Sequence, residues 1–316
     1  MNAPDVAVIV PTLRRPDSLE RALRSLFAQT AVETRLKQIV VVDNDPQASS
    51  RLLVETLKAD SPFPLTWVHA PQPGVATVRN TGLAATDASL IAFLDDDEAA
   101  SDTWLAALLD AQATTGADAV FGPIRGRVPD GTGWATSYLE QFFGREGPEQ
   151  TQLIDAPYGC GNSLLRRTTA LPGLAPFNVS ADQAGGEDDA LFAALAARGG
   201  RFGWAAEAWV DEFAPPHRAT LTYALTRAFA YGQGPSQTAA AARDWPAVAR
   251  WMAVGAAQAV VWGVAASALT LIGHPRRAEM MDRCARGVGK LFWMKGFEPH
   301  FYGARELARL DRTAAS

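Results

Sequence analysis

Short, unbroken apolar runs recur along the first half of the chain, each ended by polar or acidic residues. Val6 to Val10 reads V-A-V-I-V and stops at Pro11 and Thr12, and Ile39 to Val42 reads I-V-V-V and stops at Asp43-Asn44-Asp45-Pro46. Leu90 to Leu94 reads L-I-A-F-L and is followed by four carboxylates, Asp95, Asp96, Asp97 and Glu98. Runs that are apolar at every position suit strands covered on both faces, as in a parallel sheet. Between them the apolar residues take helical spacing: Leu19, Leu23 and Leu26, with Asp17 or Ser18 as the cap, then Val75, Val78, Leu83 and Ala84 after Pro73-Gly74. Strand, polar loop, helix and strand in alternation predict βαβ units with right-handed crossovers, an α/β fold around a mostly parallel sheet.

Further along, Leu65 to His69 is a weaker strand, Trp104 to Gln112 a helix and Ala119 to Pro123 a strand. Residues 126–157, rich in Gly, Pro and polar groups with scattered aromatics, read as a long, partly mobile substrate loop. Tyr158-Gly159-Cys160-Gly161-Asn162-Ser163 places small residues where backbone can approach a ligand closely, and a strand bulge would look the same. Phe202 to Trp204 and Ala208 to Val210 are the last sheet-like pieces, ending at Asp211-Glu212, and Pro215-Pro216-His217-Arg218 marks a boundary. The expected organisation is a catalytic domain over 1–215 and a helical region over 216–316. Its helices are expected at Leu221 to Tyr231, Trp245 to Ile272 and Ala278 to Leu291.

The uncharged stretch from Trp251 to Ile272 is long enough to span a bilayer. Its high Ala content, with Gly255, Gln258, Gly263, Ser267 and Thr270 inside it, favours a buried helical hairpin. Interfacial docking ranks second and a true span last, because positive-inside orientation would put the body of the protein on the wrong side of the membrane. Trp251, Trp262, Phe292, Trp293 and Phe297 with neighbouring Arg and Lys fit docking among lipid headgroups.

Composition is that of an ordinary globular protein, 48% hydrophobic and 20% charged over 316 residues, but the charge is uneven. The net charge of -5 argues against general nucleic-acid binding. From Arg243 onward there are eleven Lys/Arg against six Asp/Glu, a local +5, which points to an anionic partner such as a membrane surface. Two cysteines far apart, Cys160 and Cys284, give neither a zinc site nor a disulfide framework. The start of the chain lacks a secretory pattern, so a cytoplasmic location is expected, with attachment to the inner face of the cytoplasmic membrane as an option.

The candidate chemistry begins at the strand ends, where an open α/β sheet binds its ligands. Four carboxylates at one such end call for a cation or hydrogen-bond donors, and oxygen-only ligands suit a hard divalent ion that also grips phosphate. Asp43, at another strand end, either accepts from a nucleoside or closes an Asx turn. Arg79 and Asn80 interrupt an apolar helical pattern, and a half-buried Arg needs an anion, either a phosphate or the acidic cluster. Gly185-Gly186-Glu187-Asp188-Asp189 is a second acidic peak; acids suit a helix start, and a carboxylate there could also take the proton of an attacking hydroxyl.

V-I-V-P-T-L at Val8 to Leu13, V-V-D-N-D at Val41 to Asp45, G-V-A-T-V-R-N-T-G at Gly74 to Gly82, A-F-L-D-D-D-E at Ala92 to Glu98 and G-G-E-D-D-A-L-F at Gly185 to Phe192 occur in that order. Together they resemble family 2 glycosyltransferases of the GT-A fold, a Rossmann-like sheet flanked by helices, over roughly residues 5 to 235, and most nearly the succinoglycan-type exopolysaccharide glucosyltransferases. The resemblance implies an inverting transferase that moves a hexose from a UDP-sugar to a saccharide acceptor on a polyprenyl diphosphate, with Mg2+ or Mn2+. It implies donor contacts at Thr12 and Asp43 with Pro11 and Arg14, at Arg79 and Asn80, and at Asp95 and Asp96. Asp97, with Asp95, would ligate metal, and Glu212 or His217 would stand in for the histidine that many relatives carry there. Asp188 would be the general base, and Glu187, Gly161 and Asn162 would meet the acceptor. A different nucleotide-sugar, a soluble acceptor or a non-catalytic sugar-nucleotide binder remain alternatives.

Overall fold

Alternation along the central strands divides the core into two layers. Val6, Val8 and Val10 face one side and Ala7 and Ile9 the other; Ile39 and Val41 oppose Val40 and Val42, and Leu90 and Ala92 oppose Ile91 and Phe93. Period-two alternation with both faces apolar requires helices above and below. The computed structural model describes residues 5–182, 186–299 and 301. Gly185 of the second acidic motif and the tail beyond 301 lie outside the described residues.

The first unit comprises residues up to 125 and 144–212. It runs β1 (Val6–Thr12), α1 (Pro16–Phe27), β2 (Leu36–Asp43), α2 (Arg51–Leu57), β3 (Leu65–His69), α3 (Val75–Ala84), β4 (Leu90–Phe93), β5 (Glu98–Ala100), α4 (Trp104–Thr115) and β6 (Ala119–Phe121). After β7 (Ile124–Arg127) and α5 (Thr136–Phe143), which lead into the second unit, come β8 (Gln152–Ile154), β9 (Ser163–Arg166), α6 (Arg167–Ala170), α7 (Glu187–Ala197), β10 (Phe202–Trp204) and β11 (Val210–Phe213). The main sheet has eight strands in the order β3-β2-β1-β4-β9-β6-β10-β8, and β5-β11-β7 form a smaller one. β9 runs antiparallel between β4 and β6, and β8 is an antiparallel edge; the other neighbours are parallel. Leu19, Leu23 and Leu26 of α1, Val54 of α2 and Trp104, Leu105 and Leu108 of α4 cover one face. Val78 and Leu83 of α3 and Leu191, Phe192 and Leu195 of α7 cover the other. Gly82 lets α3 lie close on the sheet, since a Cβ there would stand 2.6 Å from Ile9 Cγ2.

The structure corrects the local expectations in several places. Arg15, not Asp17 or Ser18, precedes α1, and Pro16 opens it without a side-chain cap; the missing N–H of a proline costs nothing in the first turn. The acidic run after β4 leads straight into a further strand, β5, where none was expected. The expected loop over 126–157 contains α5 and β8.

The second unit comprises 126–143 and 213–300, whose long helices are α8 (Leu221–Ala241), α9 (Trp245–Leu271) and α10 (Arg277–Leu291). α8 continues ten residues past Tyr231, through Pro235. Packing on α10 outweighs the breakers: a Cβ at Gly232 would meet the Arg286 carbonyl at 2.2 Å, and Ser236 Oγ donates to the Lys290 carbonyl at 3.0 Å. Gly255, Ala259 and Gly263 follow one stripe of α9 against α10, where Gly287 approaches the Ala259 backbone and Cys284 Sγ donates to the Ala259 carbonyl. The rest of α9 is not the buried hairpin partner favoured above. Of its most apolar 18-residue stretch only 11% is buried, and Val260, Val261 and Val264 are exposed.

Candidate active site

β4 ends at Phe93, and its partner β9 begins at Ser163 in register with it. Because the two strands are antiparallel, the residues leaving β4 (94–98) and those entering β9 (158–162) emerge at the same edge. Gly161 permits this crossing, since a Cβ there would lie 2.7 Å from Asp95 Oδ2 and 3.2 Å from Glu98 Oε1. The close backbone approach expected of Gly161 is made to the acidic turn. Asn162 is fully buried at φ 50°, donates to the Pro123 and Ala208 carbonyls and accepts from Trp104 Nε1. These side-chain hydrogen bonds give Asn162 a positioning role in the fold.

The four acids of the turn separate by environment. Glu98 turns inward, 1% exposed, and accepts from the Asp95 N–H at 2.9 Å. Burial pushes its carboxyl well above the usual range, with Asp95 and Glu212 adding to the shift. Glu212 sits directly opposite it in the β5–β11 register. Asp96 accepts from Thr12 Oγ1 at 2.8 Å and Arg15 Nη1 at 2.9 Å, and the same Arg15 nitrogen reaches Asp97 Oδ2 at 2.8 Å. Burial raises the Asp96 carboxyl, against Arg15. Asp95 keeps 41% of its side-chain surface open, although protein crowds its other sides. Its carboxyl is pushed up to about 6 by that desolvation and by the Asp97, Asp96 and Asp188 carboxylates, with Arg79 opposing.

Arg15 was not singled out by the sequence, whereas its neighbour Arg14 was. Arg14 takes a left-handed φ of 53° and turns away, its Nε donating to Asp45 at 2.9 Å. Pro11 lies on β1 opposite Val42, and Thr12 lies opposite Asp43. Asp43 is fully buried and accepts from the Asp45 N–H and from the N–H and hydroxyl of Ser50, so the turn-closing reading of this residue is present. Asn80 exchanges a reciprocal pair of hydrogen bonds with the Phe177 backbone and ties α3 to that segment.

The second acidic peak meets the first at Arg79. This arginine, 5% exposed on α3, pairs with Glu187 and approaches Asp95 at 3.9 Å, with its guanidinium over the rings of Phe177 at 5.6 Å and Phe93 at 5.9 Å. Its Nε is buried without a partner among the described residues. Burial raises the Glu187 carboxyl, with Arg79 opposing. Asp188, half-buried, accepts from the Cys160 N–H at 3.0 Å and from the Asp189 N–H at 2.9 Å, which fixes its carboxylate beside the 158–162 segment. Arg145, also absent from the sequence expectations, donates to the Gly159 carbonyl at 3.2 Å and has Glu98, Glu212 and Asp95 as its charged surroundings. His217 belongs to the second unit.

Among the described residues, no three of His, Cys, Asp and Glu gather closely enough to cage a metal ion. The donor set nevertheless fits a magnesium-like ion, which is held by one or two carboxylates together with substrate phosphates and not by an all-protein cage. Asp97 and Asp95, the pair expected to hold it, have that donor chemistry, and the carboxylate repulsion that adds to burial in raising Asp95 is what a cation would relieve.

A mixed sheet whose central strand ends in an aspartate turn, facing a second acidic station across a buried arginine, defines a glycosyltransferase of the GT-A fold. The chain belongs to glycosyl transferase family 2, whose pattern it matches over residues 7–172. It is 38% identical to the succinoglycan biosynthesis protein ExoM of Rhizobium meliloti over 225 residues, 71% of this chain and 72% of that one. It is 26% identical to the glycosyltransferase AglE of Haloferax volcanii over 44% of this chain and 45% of that one. Among solved structures, the mannosyltransferase PcManGT of Pyrobaculum calidifontis, in complex with GDP-Man and Mn2+, superposes with a TM-score of 0.60 at 19% identity, covering 93% of this chain and 88% of that one. GalNAc-T7 with UDP, GalNAc and Mn2+ gives 0.56 at 15% identity, over 75% of this chain and 52% of that one.

Proposed function

We propose that the protein is an inverting transferase that moves a hexose, glucose in the first instance, from a UDP-sugar to a saccharide on a polyprenyl diphosphate. The work would be done at the cytoplasmic face of the membrane, in surface or exopolysaccharide synthesis. The observation that carries this reading is the convergence of Asp95, Glu187 and Asp188 on Arg79. The relation to ExoM supports the polysaccharide context, and the bound ligands of the two solved relatives support a nucleotide-sugar donor with a divalent ion.

In this reading the donor lies along the carboxyl ends of β1, β2 and β4, its nucleoside toward Pro11, Thr12 and Asp43. Asp97 and Asp95 hold the ion, which when bound neutralises charge on the departing diphosphate. Arg15 balances the aspartates, and the unpartnered Arg79 Nε supplies a buried donor for a substrate oxygen. Asp188 accepts the proton of the acceptor hydroxyl as that oxygen bonds to the anomeric carbon and the carbon–oxygen bond to the diphosphate breaks on the opposite face. Glu187, held by Arg79, borders the acceptor. Asp188→Asn should keep donor binding and lower turnover by about 10²- to 10⁴-fold, the usual contribution of a positioned base. Calorimetric titration with UDP, GDP and dTDP, each with and without Mn2+, tests the donor. Binding of another nucleotide alone changes the donor, and no binding to any of them moves the reading to a non-catalytic role.

A further inference from the structure

α9 and α10 of the second unit form an open-sided cavity of about 280 Å³ lined by Gln258, Trp262, Arg283, Arg286 and Lys290. That is smaller than the roughly 300–1,000 Å³ of drug-sized ligand sites, a size suited to a headgroup. Three cations line it and no acid does. Arg286 shares its charge with Asp282 at 2.7 Å, but Arg283 and Lys290 have no carboxylate partner among the described residues. Arg283 lies over the Trp262 ring at 4.7 Å. Lys290 is 9% exposed and donates to the Arg286 carbonyl at 3.3 Å, so a buried ammonium stands beside two guanidiniums. Burial and the nearby Arg286 lower its pKa. Gln258 Oε1 is buried without a donor. An unpaired buried ammonium, with a second unpaired cation on the exposed Arg283, asks for an anion, and the lone amide oxygen asks for a hydroxyl.

Elsewhere on its surface α9 exposes Val260, Val261 and Val264 at 58–67%, and Leu271 at 88%. These positions lie on one helical face, opposite the Gly255–Ala259–Gly263 stripe that meets α10. An apolar face flanked by Trp and Arg, in a region carrying a local +5, matches a helix lying in the plane of an anionic interface.

We propose that the α9–α10 cavity binds the phosphodiester headgroup of an anionic, hydroxyl-bearing lipid while the exposed face of α9 lies in the bilayer interface. The proposal rests on the membrane-facing acceptor argued above, but its test does not use transfer. The full chain is floated with phosphatidylcholine vesicles with and without phosphatidylglycerol. Binding is expected only with phosphatidylglycerol, falling about fivefold for Arg283→Gln, as for one lost cation near an anionic surface, and disappearing for Val261→Asp/Val264→Asp. Both variants alter exposed positions, and UDP titration in solution should read the same as for the parent. Loss of UDP binding in the parent would overturn the donor reading while leaving the vesicle result standing. Equal vesicle binding by parent and both variants would overturn the lipid site. Tight binding of free glycerol phosphate without vesicle binding would assign the cavity to a soluble phosphate and overturn it also. Self-association abolished by Val261→Asp/Val264→Asp, with no vesicle binding, would give the face to a second copy of the chain.

Discussion

Replacing Arg79 by Met would test the buried junction of the site through stability alone. In the folded protein the Arg79 guanidinium sits 6% exposed at its side chain against a Glu187 carboxylate 5% exposed. Arg79→Met is close in volume and keeps contact with Phe93 and Phe177, so its main effect is to leave Glu187 buried without its cation. Breaking such a pair from one side typically costs about 3–5 kcal/mol, whereas replacing both members by apolar residues is often neutral. The expected result is an Arg79→Met protein about 3–5 kcal/mol less stable in urea at neutral pH, with a melting point lower by roughly 5–15 °C. Arg79→Met/Glu187→Met should recover most of that loss. The pH dependence has a definite sign. Glu187 is raised in the folded state by burial, so the folded protein binds more protons than the unfolded one as pH rises through the interval between the two pKa values. Its penalty is absent at low pH and complete above the folded value. Losing Arg79 raises Glu187 further, and the deficit of Arg79→Met should therefore shrink on acidification. A loss below about 1 kcal/mol, the range of exposed ion pairs, or a double variant no better than the single one, would refute the account of Arg79 as the buried counter-ion.

Other expectations follow from single contacts. Asp97→Ala should remove the metal dependence of UDP binding in calorimetry, and unchanged affinity with Mn2+ would take Asp97 out of the ion site. Gly161→Ala places a methyl 2.7 Å from Asp95 Oδ2, and overpacking of this kind costs about 1–3 kcal/mol; an unperturbed melting curve would show that the turn has room to move. Cys160 is buried and its thiol is pushed up to about 12, by burial first, so a thiol reagent at pH 8 should leave it unmodified until the protein unfolds. Mass spectrometry of the native protein finding label on Cys160 would contradict its enclosure.

The sheet was legible because fully buried strands announce themselves as continuous apolar runs, and β1, β2 and β4 are such runs with acids at their ends. The smaller sheet was harder to read. β5 is three residues of which Glu98 is the first, and no propensity argument makes a strand of an acid that ends a run of four. Arg15 and Arg14 are indistinguishable in the sequence; a left-handed backbone at Arg14 decides which of them reaches the aspartates. Asn162 was expected beside a ligand from the small residues around it, and its part in satisfying the Pro123 and Ala208 carbonyls had no sequence signal. Arg145 gave no signal, since its partners Gly159 and Glu98 come to it only through the fold. In the second unit, composition alone favoured burial for α9, but only the Gly255–Ala259–Gly263 stripe is covered, and the valines on the other face are not.

The reversed strand β9 has a consequence for how such a chain can be modified. It enters the sheet in register with the end of β4, so residues 158–162 are anchored at their far end by a strand and at their near end by Arg145 and Asp188. The stretch preceding them, 146–157, contributes the edge strand β8, four places removed from β4 in the strand order. Changes at that edge therefore leave the pairing of β4 with β9, and with it the aspartate turn, in register, a modular division built into the strand order.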